Sequence, residues 1–281
     1  MRDLFGCARS RRSVTNSRLV ALVIASSMAA VLSGCATPAL TGSPAAAWSR
    51  VVQPLRVSAA RLARLPAATT FGRLRGAPLD PAPFSPETGV VIHPTAARAV
   101  YAYPGGPPVA VLPAAELSSP TWVPVVQTWF GWDRVLLPAR PNRSTGWIFL
   151  GSGGLQTAYS PYRIEISLAA YRLTVLDRGR QLGSWTVAVG APGTPTPTGR
   201  TFLLAAVAPR HPTYSPLILP LGMHSHTLST FGGGPGTVGL HGWPDPSVFG
   251  HAVSHGCVRV PPAALRVLSG IPLGSPVAIT S

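Results

Sequence analysis

The 281-residue sequence predicts a mainly β fold, and three features carry that prediction. It holds 29 glycines and 32 prolines, more punctuation than a helical bundle tolerates. Hydrophobic residues make up 46% of the chain, enough for a sizeable core, and they fall in short runs between those breakers. Several runs alternate apolar and polar side chains, as half-buried strands do. The length allows one large domain or two modest ones.

The N-terminus reads as an export signal. Arg2, Arg9, Arg11, Arg12 and Arg18 precede an apolar run from Leu19 to Leu32, which closes in Leu32-Ser33-Gly34-Cys35. Roughly 14 apolar residues fall short of the ~20 that cross a bilayer. Basic, then apolar, then small is the order of a secretory signal, and Ser10-Arg11-Arg12 adds a faint likeness to a twin-arginine leader. The Leu-Ser-Gly-Cys ending resembles the bacterial lipobox. It implies a signal peptide over residues 1–34, a lipid on Cys35, and an extracytoplasmic protein anchored to the cell membrane; an uncleaved signal anchor is the alternative. With Cys7 discarded and Cys35 acylated, Cys257 is the mature chain's remaining thiol. Exported proteins normally pair their cysteines, so an unpaired one is either a buried hydrophobe or a reactive group.

The net charge is +15, and every one of the 23 basic residues is arginine. Such a surface favours a polyanion: nucleic acid, anionic lipid, or a wall polymer rich in carboxylate and phosphate. No basic-aromatic cluster resembles a nucleic-acid module, so no nucleic-acid partner is expected.

Residues 35–85 are rich in Ala, Pro, Thr, Ser and Arg and read as a flexible tether, with a helical piece around Ser58 to Leu65. Over residues 86–155, short strands are expected at Ala99–Tyr103, Val109–Leu112, Trp122–Val126, Trp132–Leu137 and Gly146–Leu150. The stretch from Gly131-Trp132-Asp133-Arg134-Val135 to Gly146-Trp147-Ile148 resembles a small Src-homology-3-like β-barrel, which implies either a wall-peptide binder or a spacer. Residues 158–281 form the second unit. Tyr162–Ser167 and Tyr171–Leu176 alternate as paired strands, Gly183–Val189 follows, and a proline-restricted loop runs from Gly190 to Gly199.

The chemistry concentrates in His241–Val260. A thiol attacks as its thiolate, so Cys257 needs a base or cation nearby. His255 is two residues away and lies on the same side of an extended segment. His241 reaches the thiol only if the chain folds back. Proximity alone therefore favours His255. Gly256 leaves the backbone open, so the N–H groups of Gly256 and Cys257 are candidates for an oxyanion site.

Ser254-His255-Gly256-Cys257-Val258-Arg259, with His241-Gly242 thirteen residues before the serine, is similar to the catalytic signature of the L,D-transpeptidase (YkuD-like) family. Thr196-Pro197-Thr198-Gly199 and the closing Ile271-Pro272-Leu273-Gly274-Ser275-Pro276-Val277 resemble it too. The resemblance covers about 120 residues. It implies a β-rich sandwich domain with Cys257 as nucleophile, His241 as general base in place of His255, and the Gly242 carbonyl orienting the imidazole. His255, Gly256 and Ser254 would shape the oxyanion pocket and hold the donor, and Arg259 would bind substrate or brace the loop. It further implies peptidoglycan stem peptides as partners, 3→3 cross-links through a Cys thioester as product, and no cofactor or metal. Trimming or amino-acid exchange would use the same residues, and an inactive peptidoglycan-binding protein is the alternative outside catalysis. Oligomeric state is not legible.

Other residues carry weaker signals. His224 and His226 share a face on a strand, and with His241, His251, His255 and Cys257 they suggest a zinc hydrolase; the tight paired spacing and nearby carboxylates of metal sites are lacking. Residues 216–236, with Gly232-Gly233-Gly234, read as a substrate loop or lid. Asp245 lies between two prolines and reads as a turn residue rather than an orienting carboxylate. His251 is expected at the surface. Trp243 either lines a groove or caps the core.

Overall fold

The computed structural model describes residues 51–211 and 213–281. The expected signal peptide and the Cys35 lipidation site lie outside the described residues. Residues 51–281 fall within a single compact unit.

Seven antiparallel strands form the first sheet: β1 (Val90–Pro94), β2 (Arg98–Tyr101), β3 (Pro108–Leu112), β6 (Val123–Trp129), β7 (Trp132–Leu136), β8 (Thr145–Phe149) and β9 (Leu155–Tyr159). Two short strands, β4 (Ala115–Glu116) and β5 (Ser119–Pro120), make a separate ribbon between β3 and β6. The order is β3-β2-β8-β7-β6-β1-β9. Ile92, Val100, Ala110, Leu112, Val123, Val125, Val135 and Ile148 meet in one cluster, so the sheet wraps around a core that six of its strands share. Because β9 pairs along all of β1, this sheet runs to Tyr159, past the expected boundary at 155.

The expectation of a flexible tether through residue 85 is corrected for the described part. Ser58 caps a single helical turn, α1 (Ala59–Leu62). Before it, Trp132 donates its indole N–H to Val52 O (2.8 Å) and Tyr101 its hydroxyl to Leu55 O (3.0 Å). After it, Ala68, Thr70, Leu74 and Asp80 are buried, and the backbone bonds to Val111, Arg140 and Arg143. Composition suggested low order; satisfied backbone groups and buried apolar side chains hold the segment down.

The second half has a five-stranded sheet, β12-β11-β10-β19-β14. Its strands are β10 (Tyr162–Ser167), β11 (Arg172–Asp177), β12 (Arg180–Thr186), β14 (Gly199–Phe202) and β19 (Pro276–Thr280). A smaller sheet holds β15 (Ile218–His224), β16 (Thr237–Gly242) and β18 (Val258–Val260), and β13 (Val189–Gly190) pairs in parallel with β17 (Ala252–Ser254). Ile164, Ile166, Leu173 and Val175 of one sheet share a core with Leu219, Leu221, Leu240 and Val258 of the other, which is a sandwich. One helix, α2 (Pro262–Leu268), opens on proline and buries Ala264, Leu265 and Leu268. The protein is mainly β, with a β region ahead of the sandwich.

The two halves are joined by buried groups. Phe202 of β14 is fully buried and lies in the core of the first sheet, and Gly222 makes room for its ring. Asp80 accepts from Arg200 Nε at 2.7 Å and Nη2 at 2.8 Å, a buried bidentate pair. Burial raises the Asp80 pKa, but the hydrogen bonds from Arg200 and the Ala82 N–H, with the Arg200 and Arg134 charges, outweigh it and hold it below the usual value. A second joint is polar. Glu116 accepts from Thr70 N, Thr70 meets the Thr237 hydroxyl, and His224 Nε2 donates to Thr70 O at 2.7 Å. His224 is fully buried there, and desolvation lowers its pKa to about 4, while Glu116 is pushed up to about 7 by the same cause.

Candidate active site

Cys257 immediately precedes β18, and β18 runs parallel to β16 with Leu240 opposite Val258 and His241 opposite Arg259. Side chains alternate along a strand. Val238, Leu240, Val258 and Val260 all point into the core. Gly239, His241, Cys257 and Arg259 therefore share the opposite face. This is how a histidine sixteen positions upstream comes to the thiol's side of the sheet.

His241 is 5% exposed, and its Nδ1 lies 2.8 Å from the carbonyl of Gly242. A carbonyl only accepts, so Nδ1 carries the proton and Nε2 keeps its lone pair. The Gly242 N–H in turn donates to Ser215 Oγ at 2.8 Å, which fixes the orienting peptide. Tyr214 packs edge-on against the imidazole at 4.7 Å. Burial lowers the His241 pKa, the Gly242 hydrogen bond opposes this, and Arg259 adds to the lowering.

Among the described residues Cys257 has no disulfide partner. Burial pushes its thiol up, against the Gly239 N–H and the Arg259 charge, which both favour the thiolate. Arg259 stacks its guanidinium 3.6 Å above the Trp243 ring, and Trp243 contacts Tyr214 at 5.4 Å. Trp243 also lines an apolar groove of about 470 Å³ with Tyr214, Leu217, Pro262 and Leu265; Arg266 sits at its margin.

The backbone around the thiol is tightly held. Ser254 Oγ donates to Cys257 O at 2.5 Å and accepts from Gly256 N at 3.1 Å. The Gly256 N–H is thereby engaged within the turn. Gly256 has φ +110°, a value that demands glycine. Thr196 Oγ1 donates to Gly256 O at 2.9 Å and accepts from Gly190 N at 2.8 Å, while Thr194 Oγ1 donates to Ser254 O at 2.9 Å. The loop that carries Thr-Pro-Thr-Gly thus braces the Cys257 turn.

His255 is exposed and packs against Phe231 with ring centroids 5.2 Å apart, whereas His241 is buried. Residues 218–224 form β15, so the expected 216–236 loop is confined on its strand side to 225–236. His226, at the start of that loop, is exposed, and so is His251. The expectation that His224 and His226 share a strand face fails, because β15 ends at His224. Asp245 is exposed and caps the turn Pro246–Val248 through Ser247 N, with no histidine bound. Among the described residues, no group of three or more His, Cys, Asp or Glu is placed to hold a metal ion. Tyr214 and Ser215 were missed from sequence because no spacing ties them to the motif. Thr196 was within reach, since its loop had been singled out.

Residues 161–279, from β10 to β19, match the L,D-transpeptidase catalytic domain family, YkuD. A Bacillus licheniformis protein named for L,D-transpeptidase YkuD is 31% identical over 153 residues, or 52% of this chain and 86% of that one. Its Bacillus subtilis namesake is 32% identical over 130 residues, covering 44% and 71%. A crystal structure of an L,D-transpeptidase from Mycobacterium tuberculosis H37Rv shares 15% identity over 50% of this chain and 74% of that one, with a TM-score of 0.37. On the two Bacillus relatives, each matched over more than two thirds of its length, the chain belongs to the L,D-transpeptidase (YkuD) catalytic domain family.

Proposed function

We propose that the chain is a cysteine acyltransferase that joins peptidoglycan stem peptides through 3→3 cross-links, with Cys257 as nucleophile. The supporting observation is the β16/β18 register, which sets His241, its Nδ1 already engaged, on the same face as Cys257. In this reading His241 Nε2 takes the thiol proton as sulfur attacks the carbonyl carbon at the L-centre of the donor's third residue. The tetrahedral oxyanion accepts from the Cys257 N–H. Collapse breaks the bond to the terminal D-alanine, whose amine leaves with the proton held by His241, and a thioester remains. A side-chain amine from a second stem then gives its proton to His241, attacks the thioester carbonyl and releases the thiolate. Water as second nucleophile gives trimming instead, and a free amino acid gives exchange.

Arg259, held flat on Trp243, supplies positive charge beside the thiol and the stem carboxylates, and the groove along Trp243 takes the peptide. Ser254 and Gly256 set the turn, and His255 with Phe231 borders the donor. Residues 86–159 serve as a β-barrel module ahead of a catalytic domain that opens with β10 at Tyr162. A lipid on Cys35 and the arginine-rich surface hold the enzyme at the outer face of the membrane, since two weak anchors retain better than one.

The test is incubation of residues 36–281 with a disaccharide-tetrapeptide, read by mass spectrometry beside Cys257→Ala. A dimer linked through third residues, absent from the variant, is expected. D-alanine release without dimer would replace cross-linking by trimming, and folded protein without turnover would favour a binding role.

A further inference from the structure

Between β7 and β8, residues 137–144 of the first half reach the loop 225–236, which meets His255 and Gly256 just before Cys257 in the chain. One side chain there makes three hydrogen bonds. Arg140 Nη1 donates to Ser225 O at 3.0 Å, and Nη2 donates to Leu228 O at 3.0 Å and to Pro235 O at 2.9 Å. Two residues on, Asn142 grips the loop's entry both ways: Oδ1 accepts from His224 N at 2.8 Å, and Nδ2 donates to His224 O at 2.7 Å. Arg140 forms no salt bridge among the described residues, so its charge serves backbone carbonyls. Its own backbone is fixed, donating to Gly72 O at 3.0 Å and accepting from Leu74 N at 2.7 Å.

The loop needs an outside hold. Ser225 N donates to Gly236 O at 2.9 Å and closes its base, but residues 226–235 bury no side chain, and Gly232 and Gly233 have positive φ. Segments with so little buried apolar area open most easily. Yet this loop touches the cleft at two points. Phe231 stacks on His255, and Ser225 Cβ lies 3.9 Å from where a side chain on Gly256 would begin.

We propose that Arg140 is a positioning residue: from the first half it clamps loop 225–236 as a wall of the Cys257 cleft, and so sets affinity for the stem-peptide donor. The inference rests on the acyl-transfer reading. A planar guanidinium fork serves three diverging acceptors where an ammonium serves fewer, so lysine should substitute only in part.

The test compares Arg140→Ala and Arg140→Lys with the parent protein by hydrogen exchange and by donor kinetics. In Arg140→Ala, exchange at Ser225, Leu228, Phe231 and Gly234 should quicken while β10 and β11 stay protected. KM for the tetrapeptide should rise about tenfold with kcat within about twofold. Arg140→Lys should fall between. Unchanged loop exchange, or faster exchange with an unchanged KM, overturns the proposal. If Arg140→Ala loosens the whole molecule, Asn142→Ala, which leaves Arg140 in place, takes its part in the same comparison. Absence of turnover in the parent protein would refute acyl transfer instead, and loop exchange would then decide the clamp by itself.

Discussion

On one side of Cys257 stand His241, Trp243 and Arg259, fixed by a three-residue parallel register and by buried contacts within the catalytic half. By contrast Phe231 and His255, the latter close to Cys257 in the chain, are exposed, on or against a loop held by Arg140 and Asn142 of the other half. The first wall is made rigid by its own sheet. The second is rigid only to the extent that a separate part of the molecule grips it. Under the proposed acyl transfer, proton transfer, which needs constant geometry, would fall to the first wall, and substrate admission to the second.

The largest expected effect lies on the first wall. His241→Ala should slow acylation of Cys257 by about 10³-fold or more, measured as covalent mass gain over time with a carbapenem or a tetrapeptide. His255→Ala should lose about tenfold at most in the same assay. Equal losses would erase the distinction between the two histidines. The pH profile sharpens it further. A thiol raised by burial beside a lowered imidazole means that alkylation of Cys257 by iodoacetamide should keep rising into the alkaline range, with no plateau at neutral pH. A plateau near neutrality would mean a preformed thiolate–imidazolium pair.

Next come the joints between the halves. Asp80→Ala leaves Arg200 charged and buried, which should cost about 3–5 kcal/mol in urea unfolding. The polar joint offers a smaller effect with a definite sign. Glu116, raised to about 7, contributes stability below its unfolded pKa and loses it as pH rises through 7. His224, lowered to about 4, does the reverse: between pH 6.5 and 4 the unfolded chain takes the proton first, so stability falls on acidification. The two oppose one another, and the parent protein should change little over that window. Glu116→Gln keeps an acceptor for Thr70 N but removes one titration, so its stability should fall as pH drops from 6.5 to 4, by at most about 3 kcal/mol.

Much of the catalytic half was legible because its determinants are local. The period-two runs at 162–167 and 171–176 became β10 and β11, and the Ser-His-Gly-Cys turn lies where small residues and a positive φ at Gly256 require it. The choice between His241 and His255 was not legible from spacing. It depends on which strand lies beside β18, a nonlocal fact that the family pattern supplied. Tyr214 and Arg140 were illegible for the same reason: nothing near either in sequence marks its partner, 27 residues away for Tyr214 and 85 to 95 away for Arg140. The stretch 51–85 misled in the other direction. Its composition is that of a tether, yet it bonds strand edges through backbone groups, which composition does not report.

The central claim is that Cys257 carries the acyl group. Intact-protein mass spectrometry after rapid quenching of a tetrapeptide reaction tests it most directly, with Cys257→Ala alongside and hydroxylamine added to a second portion. The account predicts an adduct equal to the donor less D-alanine, confined to Cys257 and released by hydroxylamine as a thioester is. An adduct that persists in Cys257→Ala, or dimer formation by that variant, would contradict it.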